Sequence, residues 1–331
     1  MRRVFILFFL FCLLFCSCKK MQEHTYTIGI FQVNEAPTLN EARQGFIHAF
    51  EDNGLVNGVN VQLISRNGRG DIAEVQKIAQ DFVRGKVNMI CALSTPCLQA
   101  ALNASRHIPI IFTSVANPYL AGAGRSSHDH LSNVTGIAST GPIKETLAFI
   151  KEVLPSVKRI GTLWTPSELN SEYYLEIYQE EARKLGFEVE AVPVTNKSEI
   201  LLSAQILVGK KIDAINQISD NTINASFEAL GKVAEENSIP LFGGFLLSTQ
   251  SGACAALGWD FFDMGYRTGK IAIRVKNSES PAGIPIQSMN KIKLHLNLRA
   301  AQKQGITFSP EIIQRADRIL GKEEGSSGTK E

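Results

Sequence analysis

VNMICALSTPCLQAALNASRHIPIIFTSV, residues 87–115, contains a complete strand–helix–strand unit. VNMICALS is a short apolar run of strand length. Ser94-Thr95-Pro96 marks a helix start, with Thr95 expected at the N-cap and Pro96 in the first helical position. Cys97–Ser105 carries the helical pattern, and IPIIFTSV is a second, β-branched run. Strands joined through a helix lie parallel, because a crossover of that length brings the chain back to the same edge.

The unit repeats in both directions. Upstream, YTIGIFQV and VNVQLISR alternate with helical patterns at Leu39–Phe50 and Ile72–Val83. Downstream, RIGTLW, FEVEAVPV, IDAINQI and IPLFGG alternate with Ile143–Val153, Leu175–Leu185, Ile200–Val208 and Ile223–Ala234. Leu175, Tyr178, Ala182 and Leu185 recur at steps of three and four, a single apolar stripe, and Gly186 stops that helix. Such alternation predicts an α/β fold with parallel sheets covered by helices. One sheet of so many strands would be unusually wide, so two lobes are expected. SNVTGIASTGP, Ser132–Pro142, is small and polar and is expected to be the first crossing between them. Beyond Gly243 the pattern loosens to a helix near Phe261–Val275 and short strands at IPIQ and KIKLHL. The tail 321–331 is rich in Gly, Ser and charge, a composition that predicts disorder.

Composition excludes some functions. The chain has 331 residues, 44% of them hydrophobic and 20% charged, with a net charge of +2. Acids and bases are interspersed and form no basic stripe, which argues against a nucleic-acid partner. The first residues differ from the rest: Arg2 and Arg3, an apolar run from Val4 to Cys16, then Ser17-Cys18 and two lysines. The run is too short to span a membrane as a helix and has the form of an export signal. Cys18 is the expected lipid-accepting residue of a bacterial lipoprotein, although Phe15 stands where such signals usually carry Leu. The mature protein is then held on its membrane by acyl chains, in the bacterial envelope, facing periplasm or exterior. Cys91, Cys97 and Cys254 remain, an odd number that argues against a disulfide framework. They read as small buried hydrophobes, with a Cys91–Cys97 bridge or metal site as the alternative.

In open parallel sheets, ligands bind beyond the carboxyl ends of the strands. The loops there are QVNEAPTLN, LSTPC, TSVANPY, TPSELNS and SDNT, nearly all rich in hydroxyls and amides. A helix start at Ser94-Thr95-Pro96 offers N–H groups and a positive dipole end to a carboxylate; simple capping explains it equally well. Asp220, followed by Asn221, is the acid directly at a strand end, placed either to cap the next helix or to pair with an ammonium group. Glu35 is a second candidate. Thr165 or Ser167 in TPSELNS is expected to cap, while Asn170 and Ser171 face a ligand; Glu168 is undecided. Arg69-Gly70-Asp71 spells an adhesion tripeptide, but Asp71 reads as the cap of the following helix. No Gly-x-Ser-x-Gly, His-Glu-x-x-His or phosphate loop occurs, so no enzyme and no cofactor are expected.

IPIIFTSVANP, NVTGIAST, RIGTLWTPSELNS, the SDN after IDAINQI and LNLRAAQKQGI together resemble the ABC-transporter substrate-binding lipoproteins that include tryptophan- and tyrosine-binding members. The likeness runs in order from about Tyr26 to Ile313. It implies a type I periplasmic-binding-protein fold, with two Rossmann-like lobes on a three-stranded hinge. The expected division is 25–138 plus about 250–285 for the first lobe, and 139–249 plus about 286–318 for the second. It implies a monomer that closes on an aromatic amino acid and presents it to an ABC permease. Ser94, Thr95 and Ser114 would take the carboxylate, Asp220 the ammonium, and Asn170, Ser171, Asn117 and Asn221 would complete the site. Asn117-Pro118 stands where relatives commonly read Asp-Pro. Phe31, Trp164 and Phe245 are the aromatics nearest the strand ends. A ligand-binding sensor or surface adhesin is the alternative.

Overall fold

The computed structural model describes residues 25–321; the signal segment with Cys18, and all of the expected disordered tail except Gly321, lie outside them. The chain order is β1 (Tyr26–Gln32), α1 (Pro37–Glu51), β2 (Val61–Asn67), α2 (Ile72–Arg84), β3 (Met89–Leu93), α3 (Thr95–Ala104), β4 (Ile110–Val115) and β5 (Val134–Ala138). After a crossing come α4 (Ile143–Val153), β6 (Arg159–Trp164), α5 (Leu169–Lys184), β7 (Glu188–Pro193), α6 (Ile200–Gly209), β8 (Ala214–Gln217), α7 (Asn221–Asn224), α8 (Phe227–Glu236), β9 (Leu241–Gly243) and β10 (Ala255–Gly258). The chain closes with α9 (Phe261–Lys276), β11 (Gln287–Ser288), β12 (Lys293–Asn297), α10 (Leu298–Lys303), α11 (Pro310–Arg315) and β13 (Arg318–Leu320).

Two sheets result. The first runs β11-β5-β4-β3-β1-β2 and is parallel throughout. The second runs β13-β12-β10-β9-β8-β6-β7, with one antiparallel pair, β10 with β12. In the first sheet β3 and β5 are buried along their whole length, as expected where helices cover both faces. Local chemistry starts the helices: Asp71 accepts from the Ala73 N–H at 2.8 Å and caps α2, which is why Arg69-Gly70-Asp71 is a helix entry.

The crossing expected over Ser132–Pro142 is shorter than its composition suggests. Val134–Ala138 is β5, hydrogen-bonded to β4. It is small because a Cβ on Gly136 would lie 2.2 Å from the Phe112 carbonyl oxygen. The connection proper is Ser139–Pro142. The return to the first lobe also shifts, because Ala255–Gly258 belongs to the second sheet and α9 to the first lobe. Gly265 lets α9 press on α1: a Cβ there would lie 1.9 Å from the Ala42 carbonyl oxygen. The re-entry expected near 250 therefore begins at Trp259, and β11 extends the first lobe to Ser288. The helix expected over Ile223–Ala234 is two, α7 and α8, broken at Ala225-Ser226.

Three segments connect the lobes: Ser139–Pro142, Trp259-Asp260 and the stretch between β11 and β12. The Trp259 indole N–H donates to the Thr140 carbonyl at 2.9 Å and ties two of them together.

Candidate functional site

The carboxyl ends of both sheets face one another across a narrow cleft, lined from the first lobe by Thr38, Leu39 and Ser114 and from the second by Asn170, Tyr174 and Asn221. Phe261, at the start of α9, closes one side. One hydrogen bond crosses it directly, from Asn34 Nδ2 to the Asn221 carbonyl at 2.9 Å.

Most buried polar groups in folded proteins find a partner. Here the exceptions cluster. Side-chain oxygens of Gln32, Asn34, Ser94, Thr95, Thr113, Ser114, Thr165, Asp220 and Asn224 are buried without one. All but Asn224, which ends α7, sit at, or just beyond, a strand's carboxyl end. His130, Tyr178 and His295 are the only other such groups among the described residues. Each unpaired group costs about 1–3 kcal/mol, so the cleft is held ready for hydrogen bonds that the protein does not make by itself.

The first lip is strained as well as unpaired. Ser94, not Thr95, occupies the N-cap of α3, and Thr95 is the first helical residue. Neither hydroxyl caps the helix. The Ser94 backbone has φ 109° and ψ 160°, a region that belongs essentially to glycine. Ser114 has φ 57° and sits where the β4–β5 register shifts. A bulge there re-aims the side chain. Capping, which sufficed for Ser94-Thr95-Pro96 in the sequence, does not account for these hydroxyls. Asn117 behaves differently: its Oδ1 accepts from the N–H groups of Tyr119 at 3.0 Å and Leu120 at 3.1 Å, so the side chain shapes its own turn.

The second lip is a closed network. Glu168, only 5% exposed, accepts from Asn170 Nδ2 (3.0 Å), Asn221 N–H (3.2 Å) and Nδ2 (2.6 Å), and Thr222 N–H (3.1 Å) and Oγ1 (2.7 Å). It clamps the loop after β6 to the start of α7. Ser171 Oγ accepts from the Thr165 N–H at 2.9 Å, leaving the Thr165 hydroxyl free. Thr165 therefore caps no helix, and Ser171 binds the loop backbone, because α5 starts at Leu169 and its first turn folds back on the loop. Ser167 is exposed.

Asp220 takes the capping role, one of the two expected of it. Oδ1 accepts from the Ile223 N–H at 2.9 Å and caps α7, while Oδ2 has no partner. Burial, and then the nearby Glu168 carboxylate, push its pKa up to about 7; the Thr165 and Ser171 hydroxyls stand near enough to offset part of this. Glu35, by contrast, is exposed and accepts from Asn67.

Phe31 and Phe245 are core residues and Trp164 is half-buried beside the second lobe's core. The aromatic walls are Tyr174 and Phe261, with Tyr173 at the outer edge beside Thr95 and Asn117. Tyr174 had a signal in the sequence: it lies four residues after Asn170, on the same helical face. Cys91, Cys97 and Cys254 are free and buried, and no group of metal-ligating side chains occurs among the described residues.

Residues 27–320 match the family model described as ABC transporter substrate binding protein. A tyrosine-binding protein of Clostridioides difficile (strain R20291) is 37% identical over 270 residues, 82% of this chain and 78% of the relative. An ABC domain from Streptococcus pneumonia solved in complex with L-Trp superposes with a TM-score of 0.83 at 26% identity, covering 88% of this chain and 100% of that one. A ligand-free, open substrate-binding protein with adhesive properties from Clostridium difficile is 31% identical yet superposes at only 0.67, over 90% of this chain and 100% of that one. This chain thus superposes better on the L-Trp complex than on the open, ligand-free structure, although it is less identical to it. The fold is that of the type I periplasmic binding proteins, and the chain belongs to the ABC transporter substrate-binding protein family.

Proposed function

We propose that the chain captures a free aromatic amino acid between its lobes and presents it, in the closed form, to an ABC permease. The observation that carries this is the convergence of unpaired oxygens from both lobes, neutral hydroxyls on one lip and the Asp220 carboxylate on the other. An α-amino acid supplies the complement. Its carboxylate meets the Ser94, Thr95 and Ser114 hydroxyls beside the positive end of α3. Its ammonium meets Asp220 Oδ2, and Asn170, Ser171 and Asn221 hold that end in place. Tyr174 and Phe261 offer an aromatic side chain apolar walls. A ligand touching both lips favours closure by its differential affinity for the closed state.

The tyrosine-binding relative and the L-Trp complex support the ligand class. The family supports the permease as partner and an extracytoplasmic location, with Cys18 lipidation as the anchor; no described helix is long and apolar enough to cross a membrane. Isothermal titration of the full-length protein against the amino acids tests the ligand, and labelling with a palmitate analogue tests the anchor. Binding confined to non-aromatic amino acids, or no label at Cys18, would remove the corresponding part of the reading. The adhesive neighbour supports a second role, attachment at the cell surface; unchanged host-cell adherence by a deletion strain would dismiss it.

A further inference from the structure

A larger cavity, about 450 Å³, lies at the hinge rather than in the cleft. Its size is one that small-molecule sites share. The first lobe contributes Glu41, on α1 just after the cleft residues Thr38 and Leu39. Two of the three crossing segments contribute Asp260 and Lys291, and the second lobe contributes His295 on β12 and Arg318 on β13. A molecule held there touches both lobes, yet none of its lining residues lines the cleft.

Both signs of charge line this cavity, and only some of the charges are spent. Lys293 Nζ donates to Asp260 Oδ2 at 2.8 Å, and Asp317 Oδ2 accepts from the Leu294 N–H at 2.8 Å. The side chains of Glu41, Lys291 and Arg318 have no hydrogen-bond or ion-pair partner among the described residues. Burial, and then the Asp260 carboxylate, push the pKa of Glu41 up to about 7, with Arg318 and Lys293 offsetting part of the rise. A partly buried acid that no donor meets is costly, and a cation brought to it relieves the cost. His295 has a ring nitrogen, Nδ1, buried without a partner. Burial, and then the Arg318 charge, hold its pKa below the ordinary value, so the ring is neutral at pH 7 and adds to neither sign.

We infer that this cavity is a second ligand site, for a small zwitterion whose ammonium pairs with Glu41 and whose carboxylate or phosphate pairs with Lys291 and Arg318. A simple anion would bring its charge against Glu41 and Asp260, and a simple cation would face Lys291, Lys293 and Arg318. A molecule carrying both charges on a short apolar linker meets both sets and lays the linker on Leu246 and Leu247. The site does not depend on what the cleft holds.

The test is calorimetric titration of the full-length protein at pH 8, where Glu41 is ionised. The probes are β-alanine, γ-aminobutyrate, δ-aminovalerate and O-phosphoethanolamine, with butylamine and butyrate as molecules that carry one of the two charges each. At least one zwitterion is expected to bind saturably, and at least about tenfold more tightly than butylamine or butyrate. Saturation by the carboxylates or by O-phosphoethanolamine supports the site and says which anion it takes. Glu41→Gln and Arg318→Gln are each expected to weaken that binding about tenfold, and Asp220→Asn, in the cleft, to leave it unchanged. The comparison of zwitterions with single charges uses unmodified protein and stands even where a variant does not fold. No saturable binding by any zwitterion overturns the site, and so does equally tight binding of butylamine or butyrate. Affinity unmoved by both Glu41→Gln and Arg318→Gln overturns it as well. Affinity lost in Asp220→Asn puts the zwitterion in the cleft and overturns the hinge site while leaving the cleft reading standing.

Discussion

The two lips of the cleft solve opposite problems. The first lobe brings hydroxyls on a strained backbone, at Ser94 and Ser114, and leaves them unpaired. The second brings two buried acids and spends nearly all their capacity internally, through Glu168 and the Asn221–Thr222 turn. Asp220 Oδ2, the Thr165 hydroxyl and Asn224 Oδ1 are left over. On the proposed reading, charge recognition resides in the second lobe: the first lobe supplies neutral donors, and the second a rigid frame with a single charged contact. Breaking the frame's one charged contact should therefore matter most.

Asp220→Asn tests that directly. The amide keeps an oxygen for the Ile223 N–H, so α7 stays capped, but the ammonium loses its counter-charge. Loss of one partner of a buried charge pair costs about 2–5 kcal/mol. Titration with the bound amino acid should show that loss without a fall in melting temperature. An unchanged affinity would remove Asp220 from the site.

The same residue fixes a pH dependence of two signs. Its folded-state pKa, about 7, lies above that of a free aspartate, so between about pH 4 and 7 the folded protein holds a proton that the unfolded chain has lost. Its contribution to ligand-free stability is full below about pH 4 and is lost as pH rises to about 7. Affinity for an ammonium ligand runs the other way, because the carboxylate must be ionised: about tenfold weaker for each unit below 7, and level above it. Melting curves with and without ligand at pH 5, 6, 7 and 8 should show a ligand shift that grows to pH 7 and then stops. Asp220→Asn should flatten that growth; a flat profile in wild type would mean that the carboxylate is ionised throughout.

The lobes also differ in how far their sequences could be read. The alternation of strands and helices is plain wherever a strand is β-branched and its helix amphipathic, as in β3–α3–β4. It fails at β5 and β10, whose residues are small; in β5, Gly136 is required by the close approach of the Phe112 backbone. Loops that face the cleft are recognisable from their position after strands. Which hydroxyl is free is not, since that depends on the Ser94 backbone angle and on whether Ser171 or Thr165 turns inward. Glu168 was illegible for a different reason: it resembles any loop glutamate, and its role comes from Asn221 and Thr222, more than fifty residues away. Tyr178 reads in the sequence only as part of an apolar stripe. Its unpaired hydroxyl is a property of the packed lobe.

The smallest effect separates strain from chemistry on the first lip. Ser94→Gly removes a hydroxyl and also relieves a backbone conformation that costs a serine about 1–3 kcal/mol. Glycine gives back part of that through its freer unfolded chain, so ligand-free stability should rise by about 1 kcal/mol while affinity falls about tenfold with the lost hydrogen bond. Ser94→Ala loses the same hydrogen bond and the same unpaired hydroxyl but keeps the strain, so its affinity should fall equally while its gain in stability stays below the glycine's. If both variants lower affinity and the glycine raises the melting temperature more than the alanine, the serine is kept for its ligand against the preference of its own backbone. If the glycine variant is less stable, the hydroxyl serves the fold, and the contrast between the lips narrows to Thr95 and Ser114.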